Sequence, residues 1–452
     1  MNWFKTLIAP LRHPVSIAPL AMFRVLFGFM MLVSVLRFIA KGWVYELYIE
    51  PPFHFTYYGF EWVKVLSPAG MYLLFGVMAV TALLMMVGLF YRFAAVLFFI
   101  AFTYVELIDK TTYLNHYYFV SIVSFLLIWL PAHRAFSLDA YRKPAMALTH
   151  IPKGFIAVIM LQLGMVYFFA GVAKLNYDWL INAQPLSIWL ATKTDLPIIG
   201  SFFKYSWVAY TFSWFGALYD LTIPFFLLYK KTRPYAYAAV IVFHLLTWWL
   251  FPIGMFPFIM ILSTLVFFPA GFHEKVIRAL TGMLKLKRVF PAEKTYTSKW
   301  IKPLAYLFII HFAIQTVMPF RYLLYPGKLF WTEQGFRFSW RVMLMEKMGY
   351  TVFYVKDPNT GEEIEEYAYE YLTPQQQKMM ATQPDMILEF AHFLRDKWIE
   401  QGIVNPEVRV KSFVTLNGEG SRLYINPDVN LSAVKDDFSN KEWILPYKDD
   451  EK

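Results

Sequence analysis

Between residues 18 and 319 the chain passes through one long uncharged apolar stretch after another, and few folds accept that pattern. A bilayer core takes roughly 20 mostly apolar residues per helix, and backbone polar groups inside it must be satisfied within the segment. Candidate spans fall at 18–38, 71–91, 93–108, 117–131, 154–173, 206–229, 234–251, 253–268 and 301–319. The expectation is an α-helical polytopic membrane protein with about nine transmembrane helices. Composition agrees: 16% of residues are charged, against roughly 25% in a soluble domain. Residues 320–452 have ordinary soluble character, so the chain divides into a transmembrane domain, 1–319, and a C-terminal extracytoplasmic α+β domain, 320–452.

The net charge of +10 would suit a nucleic-acid partner, but the basic residues cluster in short loops between apolar runs. Lys5 and Arg12 precede the first span. Arg134, Arg142, Lys143 and Lys153 lie between the fourth and fifth, and Lys230, Lys231 and Arg233 between the sixth and seventh. Lys275, Arg278, Lys285, Lys287, Arg288, Lys294 and Lys299 lie between the eighth and ninth. With nine spans and a cytoplasmic N-terminus, all of these fall on the cytoplasmic side, as the positive-inside rule asks. The partner expected on this ground is therefore membrane lipid, and no nucleic acid. The chain has no cysteine, which excludes disulfides, thiolate metal sites and a cysteine nucleophile. Met1–Pro14 lacks a small-residue cleavage site, so the first span is the expected targeting signal. The nine histidines show no HExxH, and no metal site is expected.

In the C-terminal part, Thr351–Val355 and Glu362–Tyr369 flank Asp357–Gly361 as a hairpin. Residues 374–401 follow helical periodicity, with Met386, Leu388, Phe390, Phe393, Leu394 and Trp398 on one side. Val408–Leu416 and Arg422–Ile425 flank Asn417–Gly420 as a second hairpin, and Lys448–Lys452 is expected to fray.

Ionisable residues at membrane depth are expensive and so are candidates for function. Arg24 lies inside the first span; its simplest role is structural, paired with backbone carbonyls or with a buried carboxylate such as Asp220. The densest polar group is Asp109, Lys110, Asn115 and His116, in a short turn between two apolar runs. A lysine at a membrane surface commonly snorkels to the headgroups. In an apolar, aromatic-rich cleft, desolvation would instead lower its pKa and leave a free amine able to deprotonate a phenol or hydroquinone. Asn115 and His116 would hold an oxygen of the same substrate. His244, eight residues before Pro252, and His54, in a Pro-Pro-Phe-His-Phe stretch, read equally well as satisfied core residues.

These stretches together resemble the vitamin K-dependent gamma-glutamyl carboxylase family. Asp109, Lys110 and Thr111, followed closely by Asn115 and His116, are similar to the family's signature. Further likenesses are Phe23 to Phe29, Gln162 with Tyr167 to Leu175, Asp178 with Trp179, Phe243 with His244, and Leu250 to Phe256. Ser339 with Trp340, Phe413 to Asn417 and Asn426 with Pro427 fit more loosely.

The resemblance implies a lyase-type enzyme. Lys110 would take a proton from reduced vitamin K, phylloquinol or menaquinol. Dioxygen would add, and the strong base so formed would remove a gamma-hydrogen from glutamate. The carbanion would capture carbon dioxide to give gamma-carboxyglutamate, and the quinone would leave as its epoxide. Lys110, His244, Asn115 and His116 are the catalytic candidates, and Gln162, Tyr167 and His54 the quinol-binding ones. Trp340 and Lys347 would bind the glutamate of a protein or peptide substrate.

There are departures. Family members carry His and Arg after the Ser-Trp pair, where this chain has Met345 and Lys347, and an ammonium lacks the bidentate fork of arginine. The animal disulfide has no cysteines here. The implied protein is a shorter, prokaryotic-type member in a bacterial inner membrane, with menaquinone as its natural quinone. Two alternatives stay open: a quinol epoxidase that does not carboxylate protein, and a non-catalytic membrane protein that binds lipid or a partner.

Overall fold

The computed structural model describes residues 9–283, 285 and 293–447. Lys5, Lys287, Arg288 and the Lys448–Lys452 end lie outside the described residues.

Each expected span is helical. In chain order the helices are α1 (Ala18–Ala40), α2 (Pro68–Val87), α3 (Tyr91–Ile108), α4 (Asn115–Trp129) and α5 (Lys153–Ala173). They continue with α6 (Ser206–Leu228), α7 (Arg233–Leu250), α8 (Phe256–Thr264), α9 (Ala270–Met283) and α10 (Ile301–Val317). The count of nine crossings does not carry over so simply. Among the described residues six helices are long and apolar enough to span a membrane. A seventh is added if the bent pair Phe256–Phe267 and Ala270–Met283, angled at 114°, is taken as one. Helix α4, at 15 residues, is shorter than a crossing helix usually is.

Local signals place the helix ends. Ser67 caps α2 by accepting from the Gly70 amide at 3.2 Å, with Pro68 in the first turn, and Gly88 ends the helix at φ +68°. The last carbonyls of α2 are met by Arg24 of α1, which donates to Met85 at 2.7 Å and Met86 at 2.5 Å. Arg24 also reaches the carbonyls of Ala132 and Phe136 and is fully buried. It is thus the structural residue expected, bonded to backbone rather than to a carboxylate. Asp220 pairs instead with Lys174, at 2.6 Å. Close packing of α1 on α2 rests on Gly28, where a Cβ would meet the Met86 amide nitrogen at 2.5 Å and the Ala82 carbonyl at 2.9 Å.

A short pairing of β1 (Pro14–Ser16) with β2 (His150–Pro152) ties the N-terminal segment to the start of α5. After α10 comes a four-stranded antiparallel sheet of order β4-β3-β5-β6, made by β3 (Lys347–Lys356), β4 (Glu363–Glu366), β5 (Glu407–Leu416) and β6 (Arg422–Leu423). Both expected hairpins form. Strands β3 and β5 pair along their full length, from Lys347↔Leu416 to Lys356↔Glu407.

The single helix expected over 374–401 is two helices, α11 (Pro374–Met380) and α12 (Pro384–Glu400). Pro384 disfavours helical geometry in the residue before it and opens a new helix in its own first turn. Met386, Leu388, Phe390 and Leu394 of α12 are buried against the sheet, as the periodicity indicates, and Phe393 and Trp398 are partly so.

Candidate functional site

The turn between α3 and α4 carries the densest polar group, and the C-terminal part folds directly onto it. Asp109 ends α3, and its carboxylate accepts from the Thr111 amide at 2.8 Å and the Thr111 hydroxyl at 2.7 Å. This closes a tight turn that leaves Lys110 3% exposed. The Lys110 amide donates to the Phe55 carbonyl at 2.8 Å. Asp109 faces away from the amine beside it; its other oxygen accepts from Gln376 at 2.9 Å. Gln376 forms a capping box with Thr373 at the start of α11 and also donates to the Phe53 carbonyl at 2.7 Å. One helix cap therefore holds three segments together.

The Lys110 amine lies 2.8 Å from Glu389 and 3.2 Å from Asp385. These two carboxylates stand one turn apart on α12, the i, i+4 spacing that puts side chains on one helix face. Arg337 completes the cluster, donating to Asp385 at 2.6 Å and also to Gln383. The other oxygen of Glu389 accepts from the Thr56 amide and hydroxyl at 2.7 and 2.8 Å.

Burial alone would push the Lys110 amine down, but Asp385 and Glu389 outweigh it and hold the amine above its ordinary value. The expected burial is present, and the expected lowering of the pKa is reversed. Burial opposes ionisation of Asp385 too, yet Arg337 and Lys110 keep it well below the usual carboxylate range. For Glu389 burial prevails over Lys110, so its carboxyl is raised. Asp109, buried with only neutral donors in contact, is pushed up to about 6. Asp385, Glu389 and Arg337 escaped the sequence reading. The available signal was a pair of acids four residues apart beside the apolar stripe of an amphipathic helix.

The first turn of α4 leads away from this cluster. Asn115 donates to the Arg341 carbonyl at 2.9 Å and accepts from the Tyr113 hydroxyl at 3.2 Å. That hydroxyl in turn accepts from the Phe338 amide at 2.8 Å. His116 packs its ring against Tyr117 and Phe256, with centroids 4.5 and 5.7 Å away. His244 reaches the same Phe256 ring at 5.8 Å, so one phenyl group lies against both imidazoles. His244 Nε2 is 2.9 Å from the Tyr167 hydroxyl, and its Nδ1 is buried without a partner.

The remaining candidates are dispersed. Gln162, one and a half turns before Tyr167 on α5, binds His311 of α10 at 2.9 Å and leaves its amide nitrogen unmet. His54 is half-buried and bonds the Tyr48 carbonyl at 3.1 Å. Trp340 is 1% exposed, with its ring 4.9 Å from Tyr118 and its indole nitrogen unpartnered. Lys347 donates to the Trp331 carbonyl at 2.8 Å, to Glu333 at 2.8 Å and to the Tyr424 hydroxyl at 3.0 Å. An ammonium has three hydrogens, and these three bonds occupy them all.

Two sets therefore form: Lys110 with its acids and arginine, and His244 with Tyr167, Phe256 and His116. Asn115, next to His116 in sequence, bonds the Arg341 carbonyl and the Tyr113 hydroxyl and so belongs to neither set. Among the described residues no group of acids and histidines is arranged to hold a metal ion.

Residues 12–272 match the HTTM domain, and residues 301–450 match the vitamin K-dependent gamma-carboxylase lumenal domain. No solved structure matches the chain. With both matches in order along most of a helical membrane protein, the chain belongs to the vitamin K-dependent gamma-carboxylase family.

Proposed function

We propose that this protein oxidises reduced vitamin K with dioxygen and couples that reaction to adding carbon dioxide at glutamate in a peptide. The observation that carries the reading is the buried Lys110 cluster, built jointly by the two family regions. An aromatic diol fits the histidine set. Phe256, Phe243 and Tyr167 offer aromatic faces, and His244 Nδ1 is a buried polar atom with no protein partner. His244, Tyr167 and His116 would hold the ring and its oxygens, with Gln162 and His54 as outlying candidates. When bound with dioxygen, the quinol supplies a base stronger than any side chain.

The chain's own residues handle the first proton. An amine between two carboxylates is an ammonium at neutral pH, so Lys110 serves as the positive charge beside a developing oxyanion. The proton goes to Glu389, whose burial makes it the more basic of the paired acids. Asn115 fixes the 338–341 segment over the site. Burial of Lys110 and Trp340 keeps water from the chemistry. The basic loops favour a cytoplasmic N-terminus, and an odd number of crossings would put the C-terminal domain on the extracytoplasmic side.

A second reading, quinol epoxidation without protein carboxylation, is favoured by one observation. Lys347, the glutamate-binding candidate, has no free donor. The deciding experiment uses purified protein in lipid with reduced vitamin K, dioxygen, labelled bicarbonate and a glutamate peptide. Epoxide with label on the peptide supports the first reading, and epoxide alone the second. Neither product, where another family member gives both, overturns the two together.

A further inference from the structure

The Lys110 turn joins α3 to α4 at one end of this helix pair, and the other end carries a second polar group. Tyr91 and Arg92 open α3, while His133 and Arg134 follow the end of α4. The His133 ring stacks on Tyr91, with centroids 4.9 Å apart and planes at 18°, which sets the two short segments side by side. Arg92 donates through Nη1 to the Ile128 carbonyl in the last turn of α4. Burial, with Arg92, Arg134 and Arg24 adding to it, pushes His133 down to about 3. The imidazole is therefore neutral, and the positive charge rests on the arginines.

The acids at this end are already engaged. Asp139 accepts from the Phe90 and Tyr91 amides at 3.0 and 2.9 Å, and Glu293 lies 3.7 Å from His150. Among the described residues no carboxylate is within ion-pair distance of Arg92 or Arg134. Arg134 is half-buried, and its Nε is sealed from solvent without a partner. Its two Nη groups keep accessible surface and bond to none of the described residues. An arginine that only orients a membrane protein extends into water; Arg134 is held back with its fork open. Two such guanidiniums suit a phosphate, which accepts charge-assisted bonds from both. Phe90, Phe93 and Trp129 flank them with exposed rings. Aromatic rings at helix ends belong at headgroup level. A soluble phosphate would leave them bare, whereas a phospholipid covers them with its acyl chains.

We propose that Arg92 and Arg134 bind the phosphate of an anionic phospholipid in the leaflet beside the basic loops. Its acyl chains lie along Phe93 and Trp129. Basic pockets between membrane helices on that side are suited to such headgroups. The lipid bridges the ends of α3 and α4 and so braces the helix pair that carries the Lys110 turn at its far end. The site does not depend on the carboxylase reading.

The test uses full-length protein. Lipid retained from mixed phosphatidylcholine and phosphatidylglycerol membranes is identified by native mass spectrometry. The unfolding midpoint is then followed in phosphatidylcholine nanodiscs with and without phosphatidylglycerol. Wild type should retain phosphatidylglycerol and unfold at a higher temperature with it. Arg92→Gln combined with Arg134→Gln should bind it about tenfold more weakly and lose the thermal shift. Arg134→Lys, which keeps the charge without the fork, should fall between the two. Lys230→Gln combined with Lys231→Gln removes the same charge from another basic loop and should match wild type. Equal retention by wild type and the double arginine variant, equal loss in the double lysine variant, or no thermal shift in wild type overturns the proposal. The same shift given by inorganic phosphate in phosphatidylcholine nanodiscs would make the occupant a soluble anion and overturn the lipid assignment. Should the double arginine variant fail to fold, Arg134→Lys retaining lipid as wild type does would count against the site.

Discussion

The Lys110 amine stands 2.8 Å from the Glu389 carboxylate, across a boundary that separates a turn between two membrane helices from a helix near the C-terminus. This one ion pair makes the C-terminal domain part of the site. In the proposed reading Lys110 contributes both to chemistry and to docking of the C-terminal part.

Lys110→Met should therefore do two things. It leaves Glu389 buried without its cation and Asp385 with Arg337 alone, and breaking such a cluster costs about 3–5 kcal/mol. A lower unfolding midpoint in lipid, together with epoxide formation below one-hundredth of wild type, is expected. Normal epoxide formation in the folded variant would exclude Lys110 from catalysis.

Glu389→Gln tests where the proton goes. Quinol oxidation in the wild type should rise with pH along the ionisation of Glu389, raised by burial above its ordinary value of about 4.3. The ionised carboxylate is the acceptor, so activity is present above that pKa and lost below it. The glutamine variant should lose the limb and most of the activity. A wild-type limb at or above about 10.4 would show instead that the amine is the titrating base.

Tyr167→Phe removes the hydroxyl bonded to His244 Nε2 and leaves a buried ring nitrogen unpartnered. About 1–3 kcal/mol of stability should be lost. His244→Ala should lower quinol oxidation by about 10²–10³-fold, the range for a missing oxyanion donor, and Tyr167→Phe by less. The check is kcat and KM for the quinol. An unchanged rate in His244→Ala would remove the imidazole from the mechanism.

Lys347→Met should behave as a structural lesion. Glu333 would be left buried without its cation, at a cost of about 3–5 kcal/mol. KM for a glutamate peptide should stay within twofold in the folded fraction. A selective rise in that KM, with unchanged stability, would restore Lys347 to the substrate site.

Much of this protein is written locally. Apolar runs of bilayer length become helices because every backbone group is satisfied within the segment, and both C-terminal hairpins follow from alternation around Gly-containing turns. The motif containing Lys110, Asn115 and His116 was equally legible, since its residues are close in sequence. What the sequence could not supply was partnership at a distance. Glu389 lies 279 positions after Lys110, and only folding of α12 onto the turn reverses the direction in which the amine's pKa moves. Lys347, expected at the substrate site, spends its three donors inside the protein for the same reason. A charged side chain's task depends on which donors and acceptors remain unspent once the chain has packed, and that accounting exists only in three dimensions.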